Sequence, residues 1–335
     1  MSGIDEGALA AFLRRELPGL EGPLRLEPIG GGQSNPTYLL EVDGRRLVLR
    51  KKPAGPILPS AHAIEREYRV LSALQDTRVP VPRPLLICED QDVLGTSFYL
   101  MEHLCGRVFA DAALPELTPE ERRAAYLDMA RVLADLHSIE PAAVGLADFG
   151  RPGDYFQRQL ARWSRQWAAA EGVEIPDLDR LASWLAATLP GEDGEVAIAH
   201  GDYRLGNLIY HPHEPRVIGV LDWELSTLGH PLADLGFACM AWHTTPEEYG
   251  GIAGLEVDGI PTQEEFVDAY MAEAPSVGPL KPFHIAFALF RFAVIFVGIG
   301  QRAAAGSAAS AEGAALAPLA ARFAARGMEV AEAGA

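Results

Sequence analysis

The sequence reads as an α+β protein whose first part is built mainly from strands and whose remainder is mainly helical. Residues 24–52 hold short apolar stretches that alternate with polar residues, the period of a half-buried strand. Asp43-Gly44 sits between two of these stretches and is a strong two-residue hairpin turn. At Leu104-Cys105-Gly106 the composition shifts, and beyond it apolar residues recur at helical spacing. The expected division is therefore an N-terminal part, residues 1–103, and a C-terminal part, residues 104–335.

In the first part, residues 24–29, 37–42 and 46–52 read as strands, with the glycine-rich turn Gly30-Gly31-Gly32-Gln33-Ser34-Asn35 between the first two. Residues 61–75 read as a helix, because Ile64, Val70, Leu71 and Leu74 fall near one face. Val79-Pro80-Val81-Pro82-Arg83-Pro84 must be extended, since each proline disfavours helix at the residue before it. Two further strands follow at 85–88 and 97–103, separated by a polar turn near 89–92. Beyond the composition shift, Thr118-Pro119-Glu120-Glu121 is a helix start, with a capping threonine, proline at the first position and glutamate three residues on. That helix should run to His137. Further helices are expected near 154–171, 177–188, 231–242, 262–272 and 281–304, with an alanine-rich helix at the end. A small β insert is expected at 196–199, 208–210 and 217–221.

The formal charge of −18 argues against nucleic acid and anionic membrane as partners. Cys88, Cys105 and Cys239 are odd in number and lack metal spacing, which fits a reducing cytoplasm rather than a disulfide framework or zinc site. The N-terminus has neither a basic nor an apolar leader region, so a signal peptide is not expected. Residues 283–300 are the most apolar segment, but His284 and Arg291 interrupt them, and a buried core helix is expected.

The chemistry concentrates in His200-Gly201-Asp202-Tyr203-Arg204-Leu205-Gly206-Asn207, followed by Val220-Leu221-Asp222-Trp223-Glu224. Phosphoryl transfer from ATP needs a carboxylate to orient the attacking hydroxyl, hard oxygen ligands for magnesium, and positive charge over the phosphates. An Asp, an Asn five residues later and an Asp ending an apolar strand supply the first two. The interval from Asp to Asn is that of the protein-kinase loop H-R-D-L-x-x-x-N. Backbone N–H groups of the turn at 30–35 suit phosphates, although the turn is neither G-x-G-x-x-G nor a P-loop. On the third strand, alternation puts Val48, Arg50 and Lys52 on one face and Leu47, Leu49 and Lys51 on the other.

The pattern H-G-D-x-x-x-x-N followed by D-W-E resembles the aminoglycoside phosphotransferase family of kinase-like enzymes, over about residues 24–302. The resemblance implies a bilobal protein-kinase-like fold, with a five-stranded antiparallel sheet plus a helix in the N-terminal lobe and a mostly helical C-terminal lobe. It implies an ATP-dependent, magnesium-using kinase of a small-molecule hydroxyl. Asp202 would be the catalytic carboxylate and Asn207 and Asp222 the magnesium ligands. Gly31, Gly32, Ser34 and Asn35 would lie over the ATP phosphates. Val48-Leu49-Arg50 matches the family's phosphate-binding cation at Arg50, with Lys52 second in line. Glu67 matches R-E-x-x-x-L and would hold that cation, whereas Glu65 reads as a solvent-facing charge. The stretch Met101-Glu102-His103-Leu104-Cys105-Gly106 matches the family's hinge, so Glu102 and Leu104 would meet the adenine. His200 would brace its loop, Asp234 would support the magnesium loop, and His137 reads as a packed core histidine.

A narrower likeness comes from Gly31 through Tyr38, Leu49 through Pro53, Leu58 through Tyr68 and Gly219 through Gly229. These segments are similar to the kinase domain fused to certain acyl-CoA dehydrogenases, which implies a hydroxyacyl-CoA substrate and a dehydrogenase as a separate protein. The acidic charge suits cationic aminoglycosides instead, unless Arg158, Arg162 and Arg165 offset it. Two rivals of other classes are an inactive nucleotide-binding kinase-fold module and a metallohydrolase using His211 and His213. The first requires loss of a core motif position, and none is lost. The second is disfavoured by Pro212 and Pro215, which put those histidines at a hairpin tip.

Overall fold

A computed structural model describes residues 4–30, 35–53, 64–191, 195–274, 276–304, 313 and 315–334. The chain divides into two compact units. The first comprises Met1–Arg107, Leu208–His213 and Val217–Ser226, and the second comprises Val108–Asn207, Glu214–Arg216 and Thr227–Ala335.

The first unit opens with a helix, α1 (Glu6–Glu16), capped by the Asp5 carboxylate on the Ala8 N–H at 3.0 Å. Sequence reading placed no element over these residues, yet Leu9, Phe12 and Leu13 sit at helical spacing and are buried. Five strands follow: β1 (Arg25–Pro28), β2 (Thr37–Val42), β3 (Arg45–Lys51), β4 (Pro84–Cys88) and β5 (Phe98–Glu102). They form one antiparallel sheet in the order β1-β2-β3-β5-β4. Alternation sorts its faces as read. Leu47, Leu49, Phe98 and Leu100 join Leu9, Phe12 and Leu13 of α1 in one apolar cluster. Arg50 and Tyr99 point to the opposite face, where α2 (Ile64–Leu74) supplies Glu67. The expected polar turn near 89–92 contains a short helix, α3 (Gln91–Leu94), capped by Asp90.

Two later strands complete this unit, β7 (Leu208–Tyr210) and β8 (Val217–Val220), paired as a hairpin. Arg107 bridges to Tyr210 through two backbone hydrogen bonds of 2.8 Å. Gly106 permits this approach, because a Cβ there would run into Ile209 and the Tyr210 carbonyl.

The second unit holds α4 (Pro119–His137), α5 (Tyr155–Ala168), α6 (Pro176–Ala187), α7 (Pro231–Cys239), α8 (Gln263–Glu273), α9 (Pro282–Ala304) and α10 (Leu319–Ala333). The capping box at Thr118 and Glu121 forms as read, with bonds of 3.0 and 3.2 Å. Helix α7 ends three residues early, since Met240–His243 tightens into a 3₁₀ turn. A two-stranded sheet pairs β6 (Ala197–Ala199) with β9 (Thr227–Gly229). The second of these escaped sequence reading, because Thr227-Leu228-Gly229 has a single large apolar residue and so no apolar run to mark it.

Helix α9 is long and apolar enough to cross a membrane, but 83% of its most apolar window is buried inside the protein. Phe287, Phe290 and Phe296 are almost fully enclosed, each worth about 1.5–3 kcal/mol of apolar burial. Helix α9 packs on α7 and α10, so it is the central helix of this unit.

Candidate active site

In the first unit, β3 and α2 bring Arg50 and Glu67 together. The Arg50 Nε lies 3.2 Å from Glu67 Oε2, and the Arg50 Nη2 donates to Asp222 Oδ1 at 3.3 Å. Glu67 is almost fully buried and also accepts from Asn35 Nδ2 at 2.6 Å and from the Tyr99 hydroxyl at 3.0 Å. Asp222 follows β8 with φ 65° and ψ 59°, a left-handed conformation that costs a non-glycine residue some strain. Trp223 anchors the turn by donating from Nε1 to the Val220 carbonyl at 3.0 Å.

Burial pushes the Glu67 carboxyl up to about 7, against the opposing pull of Arg50 and the Tyr99 hydroxyl. A carboxyl raised in this way favours folding below its ordinary value of 4.5 and loses that contribution as pH rises through about 7. A Glu67→Gln variant should therefore show a flatter profile of unfolding midpoint against pH across this window. Thermal unfolding at half-unit pH steps measures it, and an unchanged slope would contradict the burial argument.

Lys52 does not join this group, because it pairs with Glu65 at 2.5 Å. Glu65 is thus not the solvent-facing charge expected from sequence. The end of β3 and the first turn of α2 bring the two together, which periodicity along either element alone does not reveal. Glu102 ends β5 exposed, its N–H committed to the Arg83 carbonyl at 2.8 Å, and Leu104 beyond it is half-buried. Gly31, Gly32 and Ser34 lie outside the described residues.

In the second unit, β6 delivers His200, Gly201 and Asp202 to a loop held by one buried carboxylate. Asp234, in the first turn of α7, accepts from the His200 N–H at 2.5 Å and from the Gly201 N–H at 2.8 Å. His137 at the end of α4 places Nε2 3.3 Å from the same carboxylate, and its other ring nitrogen is 2.7 Å from the Tyr270 hydroxyl. Burial alone would raise the Asp234 pKa. The His137 hydrogen bond, the charges of His137 and His200 and the Gly201 N–H outweigh it and hold the carboxyl below 3.8. His200 braces the turn, its Nδ1 accepting from the Asp202 N–H at 3.1 Å. Tyr203 is fully buried and donates to the Met129 carbonyl at 2.8 Å.

Asn207 turns back on Asp202. Its Nδ2 donates to both the Asp202 carbonyl and Oδ2 at 2.8 Å. This leaves Asp202 Oδ1 and Asn207 Oδ1 uncommitted among the described residues. Arg291 of α9 donates from Nη2 to the Gly201 carbonyl, a support that sequence reading missed. Its one signal was a charged residue inside the most apolar helix. Arg158, weighed as a counter-charge for CoA, instead bonds the Arg151 and Pro152 carbonyls.

The loop carrying Asp202 also walls a cavity of about 390 Å³ in this unit, lined by Arg204, Leu205 and Gly206 on the loop side. Phe109, Tyr126, Met129, Trp242, Tyr249 and Phe292 supply most of its aromatic and apolar surface. Among the described residues, no Asp or Glu lines it.

The sheet with its buried Arg–Glu pair and the H-G-D loop define a kinase-like phosphotransferase. The chain belongs to the phosphotransferase enzyme family, whose family model matches residues 25–271. Acyl-CoA dehydrogenase family member 11 of Gallus gallus is 42% identical over 337 residues, covering 97% of this chain and 43% of that protein. The chain thus spans less than half the length of this curated relative. A solved structure from Ralstonia eutropha, provisionally named an aminoglycoside phosphotransferase, shares 44% identity with a TM-score of 0.90 over 99% of both chains. A thermostable aminoglycoside phosphotransferase solved with AMP-PNP and hygromycin B shares the fold at 15% identity and a TM-score of 0.63, over 98% of this chain and 99% of that one.

Proposed function

We propose that this protein transfers the γ-phosphoryl group of ATP to a hydroxyl on a small molecule with an apolar body, with hydroxyacyl-CoA compounds the favoured class. One observation carries the reading: the loop that presents the uncommitted Asp202 Oδ1 also walls an apolar cavity. In this reading Asp202 Oδ1 accepts the acceptor's hydroxyl proton, and the Asn207 amide fixes the carboxylate through Oδ2. Asp234 holds the loop backbone in place. Arg50, steadied by Glu67, covers the phosphates, which its planar fork suits. The use of a nucleotide is supported by the related fold solved with AMP-PNP.

Each unit offers a donor suited to magnesium. Asp222 keeps Oδ2 and Asn207 keeps Oδ1 uncommitted among the described residues, and both are hard oxygens. These two residues would hold the ion, which when bound neutralises charge on phosphate oxygens.

An aminoglycoside acceptor is the rival within the family. The overall charge of −18 favours it, but that charge is spread over the whole chain. Among the described residues the cavity beside the loop carries no carboxylate to pair with amino groups, and a charge at the cavity wall acts on a bound acceptor more strongly than distant surface charges that salt screens. An ADP-release assay with magnesium across hydroxyacyl-CoAs, aminoglycosides, choline-like alcohols and sugars tests the reading. Turnover confined to aminoglycosides would overturn the acceptor class, and none on any acceptor would favour an inactive nucleotide-binding module.

A further inference from the structure

Resting on that reading, we propose that Arg204 selects the acceptor by donating to a carboxyl oxygen placed a short carbon chain away from the hydroxyl that is phosphorylated. Arg204 is the only charged residue lining the cavity among the described residues. Its sole ion-pair partner there is Asp202, with Nε 3.6 Å from Oδ2. That separation is too long for a hydrogen bond, and the Nε itself is buried without a hydrogen-bond partner. The side chain is 43% exposed, so an ion pair of this kind adds little stability. The guanidinium is thus held at the cavity wall with its donors largely unspent.

What holds it is Tyr249. The Arg204 guanidinium carbon lies 5.3 Å from the centre of the Tyr249 ring, which orients the planar group while leaving its edge available. Tyr249 has φ 74°, a left-handed backbone that an aromatic residue rarely adopts. Strain of this kind persists only where the surroundings enforce it, and it points to a functional site. The surroundings here are tight. Glu248 accepts from the Thr245 N–H at 3.1 Å and pairs with Arg326 at 3.1 Å. Gly251 leaves no room for a Cβ against the Thr244 backbone. The Tyr249 ring stands edge-on to Phe292 and Phe296 at 5.5 and 5.3 Å. A braced loop therefore keeps one aromatic face under one cation, beside the catalytic carboxylate and above apolar walls.

This arrangement fits an acceptor with three parts. A hydroxyl meets Asp202, an apolar tail enters the cavity, and a carboxyl oxygen meets the Arg204 fork, whose geometry matches carboxyl groups. Two hydrogen-bond lengths and the spacing of Arg204 from Asp202 put the hydroxyl and carboxyl about 5–8 Å apart. A free acid and the carbonyl of its thioester both offer an oxygen that accepts from a guanidinium, and the probes below distinguish the two sources. A cationic acceptor is repelled at the same place.

Calorimetric titration tests the proposal with four probes: 4-hydroxydecanoate, its CoA thioester, 4-decanol and 4-hydroxydecylamine. The wild-type protein should bind at least one carboxyl-bearing probe about 10–100-fold more tightly than 4-decanol, and the amine least tightly. Which of the two carboxyl forms wins identifies the source of the oxygen. Arg204→Gln should bring the preferred probe to within about threefold of 4-decanol, and Arg204→Lys should restore part of the preference. Tyr249→Leu, which leaves the charge in place, should give an intermediate loss. Equal binding of all probes by the wild-type protein, or an equal weakening of all of them in Arg204→Gln, would overturn the proposal. Binding is read without turnover. A protein that binds as expected and transfers no phosphoryl group would therefore sink the kinase reading and not the recognition by Arg204.

Discussion

Asp202→Ala should lower the rate of phosphoryl transfer by about 10²–10⁴-fold, the range for losing a positioned proton acceptor. Affinity for the nucleotide should stay within about threefold, because Arg50, proposed to cover the phosphates, is held by Glu67 and Asp222 and not by Asp202. The loop should survive the change. The Asp202 carbonyl still accepts from Asn207, and Asp234 still holds the two preceding N–H groups. Asp202→Asn sharpens the test, since it keeps the side-chain shape and removes only the proton-accepting charge. Single-turnover transfer and a separate nucleotide titration measure the two quantities. Transfer at the wild-type rate in either variant would refute the assignment of Asp202.

The second large effect is expected at Asp234, on stability first and activity second. Asp234→Ala strands two buried N–H groups and leaves His137 without its carboxylate, so about 3–5 kcal/mol of folding free energy should be lost. The effect has a defined pH dependence. The Asp234 carboxyl is held below its ordinary 3.8, so its contribution is fully present above about pH 4 and disappears as pH falls through the lowered value. The gap in urea midpoint between wild type and Asp234→Ala should therefore narrow in strong acid and stay constant from pH 5 to 7. Asp234→Asn offers one carbonyl oxygen for two donors and should fall between. A gap that persists undiminished in acid would show that the ionised carboxylate is not what holds the loop.

Much of this was legible before any coordinates. The β2–β3 hairpin was announced by Asp43-Gly44, and the capping box at Thr118 fixed the start of α4. Strand alternation correctly placed Arg50 on the face opposite Leu47 and Leu49, and the family resemblance through R-E-x-x-x-L pointed to Glu67 as the partner that Arg50 has. Asp202 and Asn207 are five residues apart, close enough for one loop to bring them together. What escaped reading was long-range side-chain pairing. Arg291 and Gly201 are 90 residues apart, and nothing in the period of α9 says which residue faces which carbonyl. The stack of Arg204 on Tyr249 depends on a left-handed residue with no local signature, since tyrosine does not favour that conformation. Helix α1 was missed for a different reason: its apolar spacing was present, but the strand-rich stretch after it dominated the reading.

The discontinuous make-up of the first unit has a consequence for how the protein comes into being. Its sheet is encoded by residue 102, but the hairpin of β7 and β8, against which Arg107 and Gly106 close, is encoded a hundred residues later. On the ribosome, at roughly 5–20 residues per second, the nascent sheet waits several seconds or more for its last pieces while α4 through α6 emerge. Closing so long a loop is entropically slow. Completion of the first unit is thereby tied to prior synthesis of residues 108–207, the stretch that carries Asp202, while the second unit is finished only at the end of the message.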